Sequence, residues 1–185
     1  EHDFIFYGLE TKFIYLTSLG KVWEKAYEKT LEFVTKNKLK LAFNPGTLQI
    51  EKRDKLIMDI VERCDFLFVN REEAEELLYG KELGLNPNNE KGLIKKLLFG
   101  LKSLGAKNVI ITDSSKGSYV QDEKNDVYYL GIFEVDVVEK TGAGDAYTAG
   151  FLAAVVNGIS IQEAMVWGTI EAFGVIQKIG AQEGL

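Results

Sequence analysis

Residues 139–147 read Glu139-Lys140-Thr141-Gly142-Ala143-Gly144-Asp145-Ala146-Tyr147. They lie between an apolar, strand-like run at 133–138 and a small-residue helical run at 146–156. The segment therefore reads as a strand-to-helix turn that delivers one carboxylate, Asp145, into the first turn of a helix. Backbone N–H groups at a helix N-terminus bind anions, and Gly142, Ala143 and Gly144 are small enough to let a phosphate approach them. An aspartate beside such a cradle is a candidate general base for phosphoryl transfer. The competing reading is a capped helix start, because Thr and Asp are ordinary residues there.

Three further stretches carry polar groups at strand ends. Asn70-Arg71-Glu72-Glu73 follows the buried run at 66–69 and opens a helix. Asn70 and Glu73 fit a capping box, and they equally suit the oxygen-rich surroundings of a Mg²⁺ ion. The turn 112–117, Thr112-Asp113-Ser114-Ser115-Lys116-Gly117, is either a tight connection or a wrap around a nucleotide phosphate or ribose. Asn44-Pro45-Gly46-Thr47 is a turn first and a ligand contact, through Asn44, second.

The elements that must position these residues follow from periodicity. Strands are expected at 13–19, 39–43, 66–69, 108–112, 118–121 and 127–130. Helices are expected at 22–36, 52–63, 71–79, 91–104, 146–156 and 160–179, with a loop at 83–90. The order βαβαβαβ, then a hairpin, then β–turn–helix–helix, predicts an α/β fold with a mostly parallel central sheet between two helical layers. Ligands on such sheets sit outside the carboxyl ends of the strands. The loops starting at Asn44, Asn70, Asp113 and Glu139 all fall there, which favours the anion-cradle reading over a bare helix cap. Residues 1–185 read as one domain, with no internal boundary or repeat.

Composition narrows the chemistry. Of 185 residues, 46% are hydrophobic and 27% charged, as in an ordinary globular protein. Twenty-two Lys and Arg against 28 Asp and Glu give a net charge of −6. That balance argues against a nucleic-acid partner or an anionic membrane surface. No apolar run reaches transmembrane length and no signal peptide is evident, and Cys64 is the only cysteine. These features point to the cytoplasm. With His2 as the one histidine, a zinc site or a Ser-His-Asp triad is excluded. Carboxylates, Lys, hydroxyls, backbone dipoles or a hard metal ion must do any chemistry. No Walker P-loop occurs, and Tyr147 stands where a Rossmann fingerprint needs its third glycine. The chain begins at Glu1, not Met, as a processed, trimmed or partial chain would.

Taken together, these motifs resemble the PfkB carbohydrate kinase family of the ribokinase-like superfamily. Thr141 to Leu152 follows the family signature D-[TP]-T-G-A-G-D-x-F-x-x-[AG]-[FL]. Asn70 and Glu73 match its N-x-x-E motif. Thr112 and Gly117 match its T-x-G-x-x-G turn. The Asn44-Pro45 turn and the late Gly180-Ala181 pair also fit. The resemblance keeps the family's order and spacing from Phe13 to the end of the chain. It implies transfer of the γ-phosphate of ATP to a sugar-type hydroxyl, with Asp145 as base and the amides of Gly142, Ala143 and Gly144 as anion hole. It implies that Asn70 and Glu73 organise Mg²⁺, and that Thr112, Ser114, Gly117, Gly180 and Ala181 line the nucleotide site. Its implied partners are ATP and a small sugar-like molecule, together with a second copy of the chain or an N-terminal half.

Three departures stand out. Glu139-Lys140 replaces the usual Asp-Thr or Asp-Pro, which argues against potassium activation. Ser114 takes a position that is usually glycine. The family's N-terminal region, with its sugar-binding Gly-Gly motif and β-sheet lid, has no counterpart in this sequence. The alternative reading is accordingly a truncated, non-catalytic nucleotide-binding or interaction domain.

Overall fold

The structure, a computed structural model, describes residues 6, 9–80, 90–133, 138–177 and 180. In chain order the elements are β1 (Phe13–Thr17), α1 (Glu24–Asn37), β2 (Lys40–Asn44), α2 (Thr47–Lys52), α3 (Lys55–Arg63), β3 (Phe66–Asn70) and α4 (Arg71–Tyr79). They continue with α5 (Glu90–Ser103), β4 (Asn108–Thr112), a 3-10 turn (Ser114–Lys116), β5 (Ser118–Gln121), β6 (Val127–Leu130), α6 (Ala143–Val156) and α7 (Ile161–Ile176).

The six strands form one sheet in sequential order, β1 to β6. The first four are parallel, and β5 and β6 are antiparallel to their neighbours. Because each parallel crossover moves one strand in the same direction and is right-handed, all crossover helices fall on one face. The packing bears this out. Leu41, Phe43, Leu67, Val69, Val109 and Ile111 point into a core with α1 to α5, built around Trp23, Tyr27, Ile57, Leu77 and Leu97. The alternate residues Ala42, Phe66, Phe68 and Ile110 point to the other face, against Tyr147, Phe151 and Leu152 of α6 and Met165 of α7. Phe151 meets both Phe66 and Phe68 edge-on, with centroids 6.3 and 5.3 Å apart. Strands covered on both faces read as unbroken apolar runs, which is why 66–69 and 108–112 stand out in the sequence.

The end of the sheet opposite the candidate loops is fastened by a buried acid. Asp65 accepts the Leu41 N–H at 2.9 Å and the Lys107 ammonium at 2.7 Å, with Arg63 3.5 Å away. A buried carboxylate needs such partners.

Several expected boundaries move. The helix expected at 52–63 begins later, as α3 at Lys55, and a separate helix that was not expected, α2, precedes it over Thr47–Lys52. Arg53 turns left-handed (φ 41°), and Asp54 caps the second helix by accepting the Ile57 N–H at 3.1 Å. The helix expected from Ala146 starts three residues earlier, at Ala143. The last helix ends at Ile176, and residues 178–179 lie outside the described ones. Of the loop expected at 83–90, Glu90 opens α5 and the rest is outside the described residues. Of the strand expected at 133–138, Phe133 and Val138 are not in a strand, and 134–137 lie outside the described residues. No helix is long and apolar enough to cross a membrane, among the described residues.

Candidate active site

β3 and β4 end in register, Asn70 beside Thr112, so the loops that leave them start side by side. Asn70 is both the last residue of β3 and the N-cap of α4. Its Oδ1 accepts the Glu73 N–H at 2.8 Å, while Glu73 Oε2 accepts the Asn70 N–H at 2.9 Å. The capping box is therefore complete. It leaves Glu73 Oε1 outside the box, so the structural and ligand-binding readings of this pair are compatible.

The turn after β4 is tightly built. The Asp113 N–H donates to the Gly117 carbonyl at 2.8 Å, and the Lys116 N–H donates to the Asp113 carbonyl at 2.8 Å. Gly117 has φ 89°, and a Cβ there would lie 2.1 Å from the Leu130 carbonyl oxygen. Only glycine fits. Ser114 has φ 48°, in the left-handed region where the family pattern has glycine, and it is exposed. Asp113 is buried and lies 3.3 Å from Arg71 Nε.

The N-terminus of α6 differs from those of α4 and α7. Asn70 caps α4 and Ser160 caps α7, but no side chain caps α6. Its N-cap is Gly142, in the left-handed region at φ 85°. By position, the amides of Ala143, Gly144 and Asp145 have no intrahelical acceptor. The Ala143 N–H makes a long bond to the Lys140 carbonyl, 3.3 Å, which a stronger acceptor would displace. A Cβ on Gly144 would meet nothing within 4 Å, so no packing demand explains that glycine. Asp145 is exposed at the third helical position.

One contact and one electrostatic influence tie this helix start to the Asn70 and Thr112 loops. Tyr147 Oη donates to Ser118 Oγ at 2.9 Å, and Ser118 pairs with Thr112 across β5 and β4. The negative charge of Asp145 also acts on Glu73. Burial pushes the Glu73 carboxyl above its ordinary value, against the bond from the Asn70 N–H, and the charges of Glu72 and Asp145 add to the rise. Bound cationic charge would relieve that crowding. Among the described residues no group of three or more His, Cys, Asp or Glu could hold a metal ion by itself. Mg²⁺ fits this sparse oxygen donor set, because it keeps several waters and binds through one or two carboxylates plus phosphates.

The remaining expected residues fall as follows. Asn44 ends β2 at the same sheet edge, and its Nδ2 donates to Tyr15 Oη at 3.3 Å. Gly180 donates its N–H to Glu139 Oε2 at 2.9 Å, a bond that helps hold the Glu139 carboxyl below its ordinary value. Ala181 lies outside the described residues. The Arg71–Asp113 pair and the Tyr147–Ser118 bond were not foreseen. A single arginine among Glu72, Glu73, Glu75 and Glu76 was the available signal for the first.

Residues 9–185 match the family described as pfkB family carbohydrate kinase. The chain belongs to that family. It is 27% identical over 145 residues to the nucleoside kinase of Methanocaldococcus jannaschii, covering 78% of this chain and 43% of that one. It is 30% identical over 155 residues to the cytidine kinase of Thermococcus kodakarensis, covering 82% and 51%. Among solved structures, ribokinase from Thermotoga maritima superposes with a TM-score of 0.70 at 25% identity, covering 91% of this chain and 52% of that one. The chain thus spans about half the length of these kinases. The α/β reading and the family resemblance both stand.

Proposed function

We propose that this chain is the nucleotide-binding and catalytic part of an ATP-dependent kinase that phosphorylates a hydroxyl of a sugar or nucleoside-type substrate. The observation that carries the proposal is the start of α6. There, uncapped amides open onto the left-handed Gly142 beside Asp145, at the sheet edge that also holds Asn70, Glu73 and Thr112. The kinase family and the named relatives support the reaction class, and their sugar and nucleoside names support the acceptor class.

In this reading Asp145 accepts the proton of the substrate hydroxyl. The hydroxyl oxygen attacks the γ-phosphorus, the bond from that phosphorus to the bridging oxygen breaks, and ADP leaves. The Gly142, Ala143 and Gly144 amides stabilise the charge on the transferring phosphoryl group. Thr112, Ser114, Gly117, Gly180 and Ala181 line the nucleotide, and Asn44 contacts the acceptor. Asn70 and Glu73 would hold Mg²⁺ through its waters; when bound, the ion neutralises phosphate charge. Glu139 accepts the Gly180 N–H through Oε2. The Glu139-Lys140 pair in place of the usual Asp-Thr or Asp-Pro is what speaks against potassium activation. The acidic balance and the lone buried Cys64 support a cytoplasmic setting.

The test is ADP release from ATP and Mg²⁺ over a panel of ribose, hexoses and nucleosides. Asp145→Asn should abolish acceptor-dependent release. Full-rate release by that variant would refute the base assignment. Nucleotide binding without release on any acceptor would favour the non-catalytic alternative.

A further inference from the structure

We propose that Arg71 is a positioning residue. Its ion pair with Asp113 clamps the nucleotide-side turn 113–117 to the first turn of α4, and so ties nucleotide binding to the placement of Glu73. The inference rests on the nucleotide-site reading of that turn.

Four observations carry it. First, β3 and β4 stop pairing at Asn70 and Thr112, and Arg71 and Asp113 are the residues that follow the two strands. The ion pair, with Nε 3.3 Å from Oδ1, carries the junction one residue beyond the last ladder partners. Second, the Asp113 side chain is only 9% exposed. A buried carboxylate left unpaired is costly, and the Arg71 guanidinium is the cation set beside it by the ion pair. Third, the first turn of a helix disfavours positive charge. Arg71 stands there nonetheless, as the first residue of α4. Helix electrostatics does not explain it, whereas Asp113 does. Its Nη2 donates to Glu72 Oε1 at 3.0 Å, which holds the guanidinium from the other side. Fourth, the clamped turn contains Ser114 at φ 48°. A non-glycine residue keeps such a backbone only where its surroundings over-determine it.

From these contacts, removing the arginine should loosen two things together. The Lys116 and Gly117 amides, which donate within the turn to Asp113 and Ser114, should lose protection from exchange. The affinity for ADP should fall with them.

The experiment uses the full chain and its Arg71→Ala, Arg71→Lys and Arg71→Ala/Asp113→Asn variants. It measures ADP binding by calorimetry, amide exchange over 113–117 and thermal melting. Arg71→Ala should weaken ADP binding about tenfold and speed exchange in the turn, and Arg71→Lys should restore part of both. The double variant, which has no unpaired buried charge, should recover the melting temperature without recovering affinity or protection. A lower melting temperature with unchanged ADP affinity and unchanged exchange would overturn the clamp and leave a purely structural pair. If the unsubstituted chain bound no ADP, the nucleotide-site reading would fail. The exchange comparison would still decide the clamp.

Discussion

Gly144→Ala separates the two explanations for the start of α6 more cleanly than any other single change. If the glycine serves only the helix, alanine should be an improvement. The backbone there is helical and not left-handed, and the added Cβ meets nothing within 4 Å. Replacing glycine by alanine in a helix gains roughly 0.5–1 kcal/mol, and less near an end. For a chain of this size about 1 kcal/mol raises the melting temperature by about 2–4 °C. If instead the open space in front of the Gly144 amide receives a phosphoryl oxygen, the new methyl stands where that oxygen must approach. Losing one preorganised anion-hole donor costs on the order of 10²–10³-fold in turnover. The expected result is a small gain or no change in melting temperature, with acceptor-dependent ADP release reduced about a hundredfold. Thermal denaturation and a coupled ADP assay on the same preparation read both. A stabilised variant at full turnover would refute the anion hole. A clearly destabilised variant would refute the open space.

Other expected outcomes follow from single contacts. Ser114→Gly relieves a left-handed serine that costs about 1–2 kcal/mol while adding glycine entropy of about 0.5–1 kcal/mol, so melting should show a net gain of at most about 1.5 kcal/mol. Tyr147→Phe removes the bond to the buried Ser118 hydroxyl and should cost about 1–2 kcal/mol in denaturant unfolding. Burial raises the Glu73 carboxyl above its ordinary 4.5, so its folded form prefers the proton more than its unfolded form does. The stability this contributes is present below 4.5 and is lost as pH rises through the raised folded value. Glu73→Gln should therefore flatten the stability curve between 4.5 and that raised value, as read by melting temperature against pH. Burial also raises the Cys64 thiol strongly, so it should react with a thiol reagent only at the rate of global unfolding.

Much of this arrangement was legible in the sequence because the sheet is covered on both faces. Such strands leave uninterrupted apolar runs, and Asn70 and Thr112 stand out as polar residues that end them. Turn chemistry was equally plain where one residue type is obligatory, as at Gly117 and Gly142. Boundaries set by competition between neighbours were less visible. Asp54 could continue a helix or cap the next one, and the left-handed Arg53 before it and the packing of α3 on α1 and β2 go with the cap. The first turn of α6 was hidden for a related reason. Gly142 and Gly144 are poor helix formers on either side of a single good one, Ala143, and the helix starts there where α6 is held through Tyr147 and Phe151. The Arg71–Asp113 pair joins residues 42 positions apart and leaves no periodic trace. Its members become partners only once β3 and β4 lie side by side.

The central claim is that Asp145 is the base of a phosphoryl transfer at the mouth of α6. The most direct measurement is acceptor-dependent ADP release by Asp145→Asn beside the unsubstituted protein, with ADP affinity measured on both. The account predicts loss of release with affinity retained, because the amide keeps the shape of the carboxylate but cannot take the proton. Release at the unsubstituted rate would contradict it.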